Sequence, residues 1–379
     1  MSPLSIDRSA PSIDRSAPSI DRSAPTLAVV GGGVIGLTCA LGAVDAGHRV
    51  RVHDAGTADR AAWVAAGMLG SLGEGHPGED DLLALSSASV RRWPDLVARL
   101  RDPTVMAATE SLFVAASSAD AEYLSNLAEF VWSRAPRAHD DLRRVDLAEI
   151  RRREPGLSSR LHSGYLAVGE GAVDNRRLLG RLRDALIDAG AQFVDERVAD
   201  LADVDADQIL VAAGLGTRSL VPDVALHAAK GEILRLRGTR WSVAQPSRVI
   251  RARMHGRQVY LVPRDDGIVV GATQYEPPDE SEAKPEVGGV TDLLADAVDL
   301  MPGLRTYELA EAAAGLRPCT ADGLPIIRRV DDRVVVATGH GRNGILLAPY
   351  TADKVLELLT DRWVAAGGLS STTKGAEPS

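Results

Sequence analysis

The chain of 379 residues is 45% hydrophobic and 25% charged, an ordinary composition for a globular protein of two domains or one large α/β unit. Its formal net charge of -9 and its scattered arginines argue against a nucleic-acid surface. Two cysteines are too few for a disulfide framework, and no apolar run approaches the ~20 residues that cross a bilayer. We therefore expect a cytoplasmic protein without membrane contact and without a metal site.

The N-terminal segment is repetitive. From Ser5 to Pro25 the heptapeptide Ser-Ile-Asp-Arg-Ser-Ala-Pro is written three times in succession. A proline at every seventh position removes a helical donor and clashes with the preceding turn, which excludes a coiled coil. Residues 1–25 are therefore predicted to be a disordered tail, and 365–379 a second one. We interpret the repeat as an expansion without function, with a docking tail for a partner as the alternative.

The folded part opens with a predicted strand–helix–strand unit. A short apolar run ends in three successive glycines, helical spacing follows, and a strand of alternating polarity ends at an acidic residue. The predicted elements are a strand over 27–30, a helix over 34–46 and a strand over 49–53, followed by Asp54. This order is typical of the parallel unit that binds dinucleotides.

Two kinds of sheet are predicted to alternate along the rest of the chain. Residues 85–165 are expected to be mainly helical, and alternating polarity between 230 and 272 predicts antiparallel strands. The other predicted elements are helices over 174–190, 291–300 and 345–359 and buried strands over 209–213 and 334–337. The parallel, nucleotide-binding part thus comes first, in the middle and last, with the antiparallel part inserted between.

The first glycine turn fits the dinucleotide-binding pattern. In that pattern one glycine allows a tight turn, the next lets the backbone approach a pyrophosphate, and the last lets the helix pack on the sheet. The helix N-terminus adds free amides and a partial positive charge for the phosphates. Asp54, eighteen residues after the last glycine, stands where a ribose-binding carboxylate belongs. The residues predicted to hold the cofactor here are Gly31, Gly33, Val34, Ile35 and Gly36.

Two further glycine turns favour FAD over NAD as the cofactor. Gly214 and Gly216 follow one buried strand, and the run 339–344 follows another and opens a helix. Amide donors at this last turn would stabilise negative charge on a reduced flavin ring, and a simple NAD domain needs no such element. The predicted flavin contacts there are Gly339, His340, Gly341, Arg342, Asn343, Gly344, Ile345 and Leu346.

Six short segments resemble one known family. They are AAGMLG at 65–70, VYLVPR at 259–264, VGAT at 270–273, GLRP at 315–318, DGLP at 322–325 and GHGRNGILLAP at 339–349. Together they resemble the D-amino-acid oxidase family of flavoproteins, and within it the glycine oxidases of thiamine biosynthesis. The resemblance extends from about residue 26 to residue 359, nearly all of the predicted folded chain.

The resemblance implies an α/β fold with a Rossmann-like FAD-binding domain built from discontinuous segments, plus a substrate domain with an antiparallel sheet. Non-covalent FAD would lie along Ala66, Gly67 and Met68, with Val198 on its adenine side. The expected segments are 26–84, 168–225 and 311–364 for the FAD-binding domain and 85–167 and 226–310 for the substrate domain.

The implied activity is the oxidation of glycine or a similar small amino acid to its imine, with oxygen reduced to hydrogen peroxide. Because the flavin takes the hydride, the protein must hold the substrate's carboxylate and α-carbon in place. Arg317 is the candidate carboxylate clamp, since its planar fork binds a carboxylate bidentately. Tyr260 is a candidate second donor, and Arg342 a candidate near the substrate's polar end. We interpret His340 as a packing residue and not as a base.

Three residues depart from the family's pattern and leave the preferred amino acid open. Gly341 replaces a frequent aromatic residue, and Cys319 stands where glycine is usual and raises covalent flavin attachment as an alternative. Gln274, which with Met68 is expected to line the substrate pocket, makes that pocket more polar. Oxidation of other small D-amino acids or N-methyl amino acids stays open. So does a non-catalytic FAD-binding subunit, although a scaffold has no use for a carboxylate clamp.

The expected partners are the small amino acid and oxygen. The resemblance adds a homo-oligomer as the expected assembly and thiazole synthase as a possible protein partner, since the imine would supply thiazole formation in thiamine biosynthesis.

Overall fold

The computed structural model describes residues 24–56, 60–74, 76–135, 138–277 and 283–365. Nearly all of the two predicted tails, 1–25 and 365–379, lies outside these residues, so their disorder stays a prediction. The described residues form two β-sheets with helices packed against them. Among the described helices, none combines the length and the apolar character that a bilayer crossing requires.

The strands are β1 Thr26–Val30, β2 Arg49–His53, β3 Met106–Ala115, β4 Leu142–Val145, β5 Ser163–Val173, β6 Gln192–Val194, β7 Gln208–Val211, β8 His227–Arg237, β9 Val249–Met254, β10 Arg257–Arg264, β11 Gly267–Gly271, β12 Glu308–Cys319, β13 Ile326–Arg329 and β14 Val334–Thr338. The helices are α1 Val34–Asp45, α2 Ala61–Val64, α3 Asp80–Val90, α4 Trp93–Leu100, α5 Ser118–Arg134, α6 Ala138–Asp141, α7 Leu147–Arg153, α8 Asn175–Asp188, α9 Thr217–Leu220, α10 Val287–Leu300 and α11 Gly344–Ala365.

The first sheet has six strands in the order β13-β14-β7-β1-β2-β6. β1 lies between β2 and β7 and runs parallel to both, and β13 joins the edge antiparallel to β14. The apolar run of β1 is buried on both faces. Leu27 and Val29 pack in one apolar cluster with residues of α1, α8 and α11, while Ala28 and Val30 pack in a second cluster with β7 and β14. Burial on both faces is what a central parallel strand requires.

The second sheet has eight strands in the order β12-β8-β11-β10-β9-β3-β5-β4, all antiparallel to their neighbours except the parallel pair β3 and β9. One face packs against α10, where Leu234, Leu261 and Leu300 belong to a single apolar cluster. The opposite face carries Tyr260, whose direct cross-strand partner on β9 is Arg251. Side chains alternate between the two faces of a sheet, so this register decides which residues face the cavity described below.

The predicted fold class, a dinucleotide-binding parallel sheet combined with an antiparallel sheet, is confirmed. The interpretation of 85–165 as mainly helical is wrong in part, because β3, β4 and the start of β5 lie within it. The apolar residues of β3 are contiguous from Leu112 to Ala115 and buried on both faces, so the strand lacks the alternation that marks a half-exposed strand.

The expected domain boundaries at 167/168 and 310/311 fall inside β5 and β12, and both strands belong to the eight-stranded sheet. Cutting either strand would divide a hydrogen-bonded ladder between two domains. We propose that the substrate domain keeps both strands whole, which moves these boundaries to the ends of β5 and β12.

Candidate active site

A cavity of about 810 Å³ is lined by residues of both sheets, a size typical of ligand sites (roughly 300–1,000 Å³). We call its two parts the turn end and the sheet end. The turn end is lined by residues 31–35, 213–216 and 340–346, which follow β1, β7 and β14. The sheet end is lined by Phe113, Arg251, Arg253, Tyr260 and Arg317.

The turn after β1 leaves an open space at the start of α1. Gly31 has a φ of +125°, and a side chain there would collide with the carbonyl group of Ala212. A side chain at Gly36 would collide with the carbonyl of Gly31, so α1 packs directly on the turn. Gly33 caps α1 without a capping side chain, and, its two chain neighbours aside, no atom of the residues that the structure describes lies within 4 Å of the position a Cβ would take there. The first amides of α1 therefore face open space, which fits the phosphates of a dinucleotide.

Asp54 follows β2 and lines the same end of the cavity. Its Oδ1 accepts a hydrogen bond from the Gly56 amide at 3.0 Å. Its Oδ2 lies 3.2 Å from Nη1 of Arg60, which also donates to the Gly32 carbonyl at 2.8 Å. The carboxylate is thus fixed beside the turn, in the place predicted for a ribose ligand. Arg60 was missed by the sequence analysis, because nothing in its neighbourhood marks it apart from the other arginines.

The other two glycine turns lie side by side. The Thr338 hydroxyl at the end of β14 donates to the Gly214 carbonyl at 3.1 Å. Gly214 begins a single 3₁₀ turn after β7, and a second 3₁₀ turn over Gly341–Asn343 leads directly into α11. The N-terminus of α11 therefore lines the same cavity as that of α1, and its role as a second set of amide donors to a flavin ring stays a prediction.

His340 and Cys319 have properties that argue against chemical roles. His340 is buried, its Nε2 lies 2.9 Å from the Thr351 hydroxyl, and burial lowers the pKa of His340 to about 3. It is therefore neutral at ordinary pH, in keeping with a packing residue. Burial raises the pKa of the Cys319 thiol, which disfavours the nucleophilic thiolate. Cys319 is not among the described residues that line the cavity, so non-covalent FAD remains our prediction.

Two glycines make room for the candidate substrate ligands at the sheet end. The guanidinium of Arg317 lies over Gly231 on β8, with Nη1 and Nη2 each 3.4 Å from the Thr273 carbonyl oxygen. The hydroxyl of Tyr260 lies over Gly271 on β11 in the same way. β8 and β11 are adjacent strands, and the partner of Gly271 on β8 is two residues from Gly231. The two donors come from β12 and β10, converge over the two strands that lie between them, and can address one carboxylate.

A buried carboxylate holds the segment that contacts Arg317. Glu232 is 0% exposed, and its Oε2 accepts a hydrogen bond from the Thr273 hydroxyl at 3.1 Å. Its Oε1 accepts from the Tyr275 hydroxyl at 2.9 Å and from the Glu286 amide at 2.7 Å, and lies 3.5 Å from Nζ of Lys230. Since the carbonyl of Thr273 contacts the clamp, Glu232 fixes the backbone that orients it.

The structure brings nearly all predicted site residues to this one cavity. Gly36 and Gly339 are not among its lining residues, because Gly36 packs against the first turn and Gly339 against Thr320. Arg342 and Gln274 line the cavity but are exposed, so their roles in substrate binding stay predictions. The predicted residues that line it are Gly31, Gly33, Val34, Ile35, Asp54, Ala66, Gly67, Met68, Val198, Gly214, Gly216, Tyr260, Gln274, Arg317, His340, Gly341, Arg342, Asn343, Gly344, Ile345 and Leu346.

Most residues of the sheet end were not predicted from the sequence. Arg251 and Arg253 are two residues apart on β9, so they share a face of the sheet, and the buried Ile250 and Ala252 face the other way. That alternation could have identified the arginines as facing one side together. It could not have shown that this side faces a cavity, which depends on the register of strands far apart in sequence.

The parallel sheet, the open glycine turn at its central strand and the cavity that continues onto an antiparallel sheet define a dinucleotide-dependent enzyme. Residues 26–358 match the DAO family of FAD-dependent oxidoreductases, and the chain belongs to this family. The protein is therefore an FAD-dependent oxidoreductase. The cofactor and the family expected from the sequence are both confirmed.

Individual relatives match over most of the chain. The glycine oxidase of Bacillus licheniformis is 29% identical over 361 residues, which cover 87% of this chain and 92% of the relative. The bifunctional protein ThiO/ThiG of Synechocystis sp. is 30% identical over 361 residues, and the chain spans 52% of its length. The solved structure of glycine oxidase from Geobacillus kaustophilus is 28% identical, with a TM-score of 0.78 over 89% of this chain and 95% of that one.

Proposed function

We propose that the protein oxidises glycine or a similar small amino acid to its imine and binds FAD non-covalently. The observation that carries this proposal is the convergence of Arg317 and Tyr260 over two glycines, in the same cavity as the three glycine turns. The three glycine turns and Asp54 would hold FAD, which when bound would supply the two-electron oxidation of the substrate, with oxygen as the final acceptor and hydrogen peroxide as its product.

The chain's own residues bind and orient the substrate. Arg317 would hold the carboxylate through its planar fork, and Tyr260 would donate its hydroxyl to the same group. With the carboxylate fixed by two donors, the α-carbon has little freedom, which is the contribution that positioning makes to the rate. Hydride transfer from a neutral amine needs no further base, and the buried neutral His340 offers none.

An oxygen-consumption panel tests this function. The holoenzyme is given glycine, sarcosine, D-alanine and D-proline in turn, and hydrogen peroxide is measured alongside. We expect glycine or another small amino acid to be oxidised with one peroxide formed per oxygen consumed. A preference for sarcosine would favour the N-methyl amino acid alternative, and a preference for D-alanine or D-proline the D-amino acid alternative. Absence of turnover with all four would contradict oxidation of a small neutral amino acid, and absence of turnover with every amino acid would favour a non-catalytic FAD-binding subunit.

We also propose that the imine supplies thiazole formation in thiamine biosynthesis, in the cytoplasm. The support is the bifunctional ThiO/ThiG relative, about half of whose length this chain matches. If imine formation and thiazole formation are carried out by two separate chains that associate, this protein should co-purify with thiazole synthase from the same cells. Sedimentation of the purified protein tests the expected homo-oligomer.

A further inference from the structure

The sheet end of the cavity extends beyond the two residues that would hold a glycine molecule. Past Tyr260, it is lined by Arg253, Gln258 and Tyr123, and by Leu124 and Leu127 of α5. Glycine has a single carboxylate and no side chain, so Arg317 and Tyr260 can hold it without these residues. They therefore offer contacts to a substrate that is longer than glycine.

The guanidinium group of Arg253 is held in place, and its N–H donors can still bind a ligand. The guanidinium lies over the ring of Tyr123, with 3.7 Å from its central carbon to the ring centroid, and Nε approaches Oδ1 of Asp120 at 3.6 Å. Within the part of the chain that the structure describes, this guanidinium donates no hydrogen bond. Its side chain is 23% exposed, and it lines the cavity.

Asp120 acts as a fixed counter-charge on one edge of the guanidinium. Its carboxylate accepts hydrogen bonds from the amides of His255 and Gly256, each at 2.9 Å, and from the Ser117 hydroxyl at 2.7 Å. These bonds fix Asp120 behind the arginine. The ring and the carboxylate together orient the plane of Arg253, and an oriented guanidinium loses little freedom when it binds a second carboxylate.

The register of the sheet places Arg253 close to the candidate substrate ligands. Arg251 is opposite Tyr260 and Arg253 is opposite Gln258, so all four side chains share the cavity face. Arg253 is therefore the diagonal neighbour of Tyr260. In an antiparallel pair, the backbones of diagonal neighbours are about 7–8 Å apart and their Cβ atoms somewhat closer. A dicarboxylic amino acid whose α-carboxylate is held at Tyr260 can extend along this face toward Arg253.

We infer that Arg253 and Gln258 form a second subsite that binds an acidic side-chain group, so that the preferred substrates are dicarboxylic D-amino acids. The inference rests on the proposed amino-acid oxidase function. It names a substrate class within the alternatives to glycine itself. Arg317 and Tyr260 keep the α-carboxylate, and Arg253 takes the distal one.

Matched pairs of substrates test the subsite. Initial rates with D-aspartate and D-asparagine, and with D-glutamate and D-glutamine, give a ratio of kcat/KM for acid over amide. The members of a pair have the same shape and differ in charge. A charge-assisted bidentate contact predicts a ratio of about 10–100 for at least one pair. In Arg253→Met this ratio should fall to about 1, and Arg253→Lys should retain part of it. Both substrates of a pair are measured on the same variant, so a general loss of activity lowers both rates equally and leaves their ratio unchanged.

Arg240→Met is the control. Arg240 also stacks on an aromatic ring, Trp241, but does not line the cavity, so this variant should keep the parent's ratio. Binding is measured separately by titrating the flavin absorbance with succinate and with its monoamide, succinamate. Succinate should bind more tightly to the parent and lose that advantage in Arg253→Met.

The possible results distinguish failure of the second subsite from failure of the proposed oxidase function. If glycine and neutral D-amino acids are oxidised but no pair shows a preference for the acid, the subsite is wrong and the oxidase function stands. A preference that survives in Arg253→Met likewise overturns the role of Arg253. If no amino acid is oxidised, the proposed function fails, and the substrate class fails with it.

Discussion

The two ends of the cavity are built in different ways. The turn end consists of backbone: three glycine turns, two helix N-termini and the amides that they leave open, with Asp54 as the main side chain. The sheet end consists of side chains from separate strands of one sheet, among them Arg317, Tyr260 and Arg253. A backbone site follows from a short local sequence, whereas a side-chain site exists only once distant strands are in register.

This difference predicts that substitutions at the two ends act on different properties. A change at the turn end should weaken FAD binding and leave turnover of the fully loaded enzyme intact. A change at the sheet end should impair substrate binding and oxidation and leave flavin content intact. Each of the following substitutions tests this separation, beginning with the largest effect.

Arg317→Ala should give the largest loss of kcat/KM for glycine. An amino-acid carboxylate that enters a largely dry cavity loses its water, and stranding a buried charge without its partner costs roughly 3–5 kcal/mol. At ~1.4 kcal/mol per tenfold change, kcat/KM for glycine should fall by a factor between about 10² and 4 × 10³, while flavin content is unchanged. Steady-state oxygen uptake over a range of glycine concentrations measures this loss.

Arg317→Lys is the companion variant. An ammonium group keeps the charge but cannot make two parallel hydrogen bonds, so only part of the activity should return. A lysine variant as active as the parent would show that charge alone matters. An alanine variant with near-parental kcat/KM would make Arg317 a structural residue, and the clamp would then be sought at Arg342 or Arg251.

Asp54→Ala should act on the other end. A carboxylate that accepts a hydrogen bond from a ribose hydroxyl contributes roughly 1.5–3 kcal/mol, so the Kd for FAD should rise about 10–100-fold. Flavin fluorescence during titration of the apoprotein measures the Kd. An unchanged Kd would mean that Asp54 serves only the contacts it already makes within the protein, with Arg60, Arg183 and the Gly56 amide.

Glu232→Gln should have a smaller effect, which is confined to substrate binding. The amide can still accept a hydrogen bond from Thr273, but it loses the charge that holds the segment beneath Arg317. The difference between a charged and a neutral hydrogen bond is about 1 kcal/mol, so KM for glycine should rise about fivefold with little change in kcat.

Glu154→Gln is a matched control for that variant. Glu154 is also buried, but its hydrogen bonds come from Ser247 and Arg248 and not from the segment that contacts Arg317. It should lose stability without a change in KM. A similar rise in KM in both variants would reduce Glu232 to a general structural residue.

Removal of residues 2–23 should have no effect at either end. The proline at every seventh position of the repeat opposes a packed element. Flavin content and kcat/KM for glycine should both equal those of the full chain. A loss of either would assign the repeat a role in the fold or at the cavity.

The sequence predicts the turn end well because its signals are local. Gly31 and Gly36 are required by collisions within a few residues of chain, and the order of strand, turn and helix marks the site directly. β3 was missed because a strand buried on both faces lacks alternation. The sheet end was predicted only where the family resemblance supplied it, at Arg317 and Tyr260. The role of Arg253 depends on a register between β9 and β10 and on α5 from elsewhere in the chain, which no local pattern contains.

The separation of the two ends is tested most directly by the rate of flavin reduction. Asp54→Ala and Arg317→Ala are each saturated with FAD and mixed with glycine under anaerobic conditions, and the loss of visible flavin absorbance is followed by stopped flow. We predict a rate constant within about threefold of the parent for Asp54→Ala and a fall of about 10²-fold or more for Arg317→Ala at the same subsaturating glycine concentration. An equal fall in both variants would contradict the separation of a cofactor end from a substrate end.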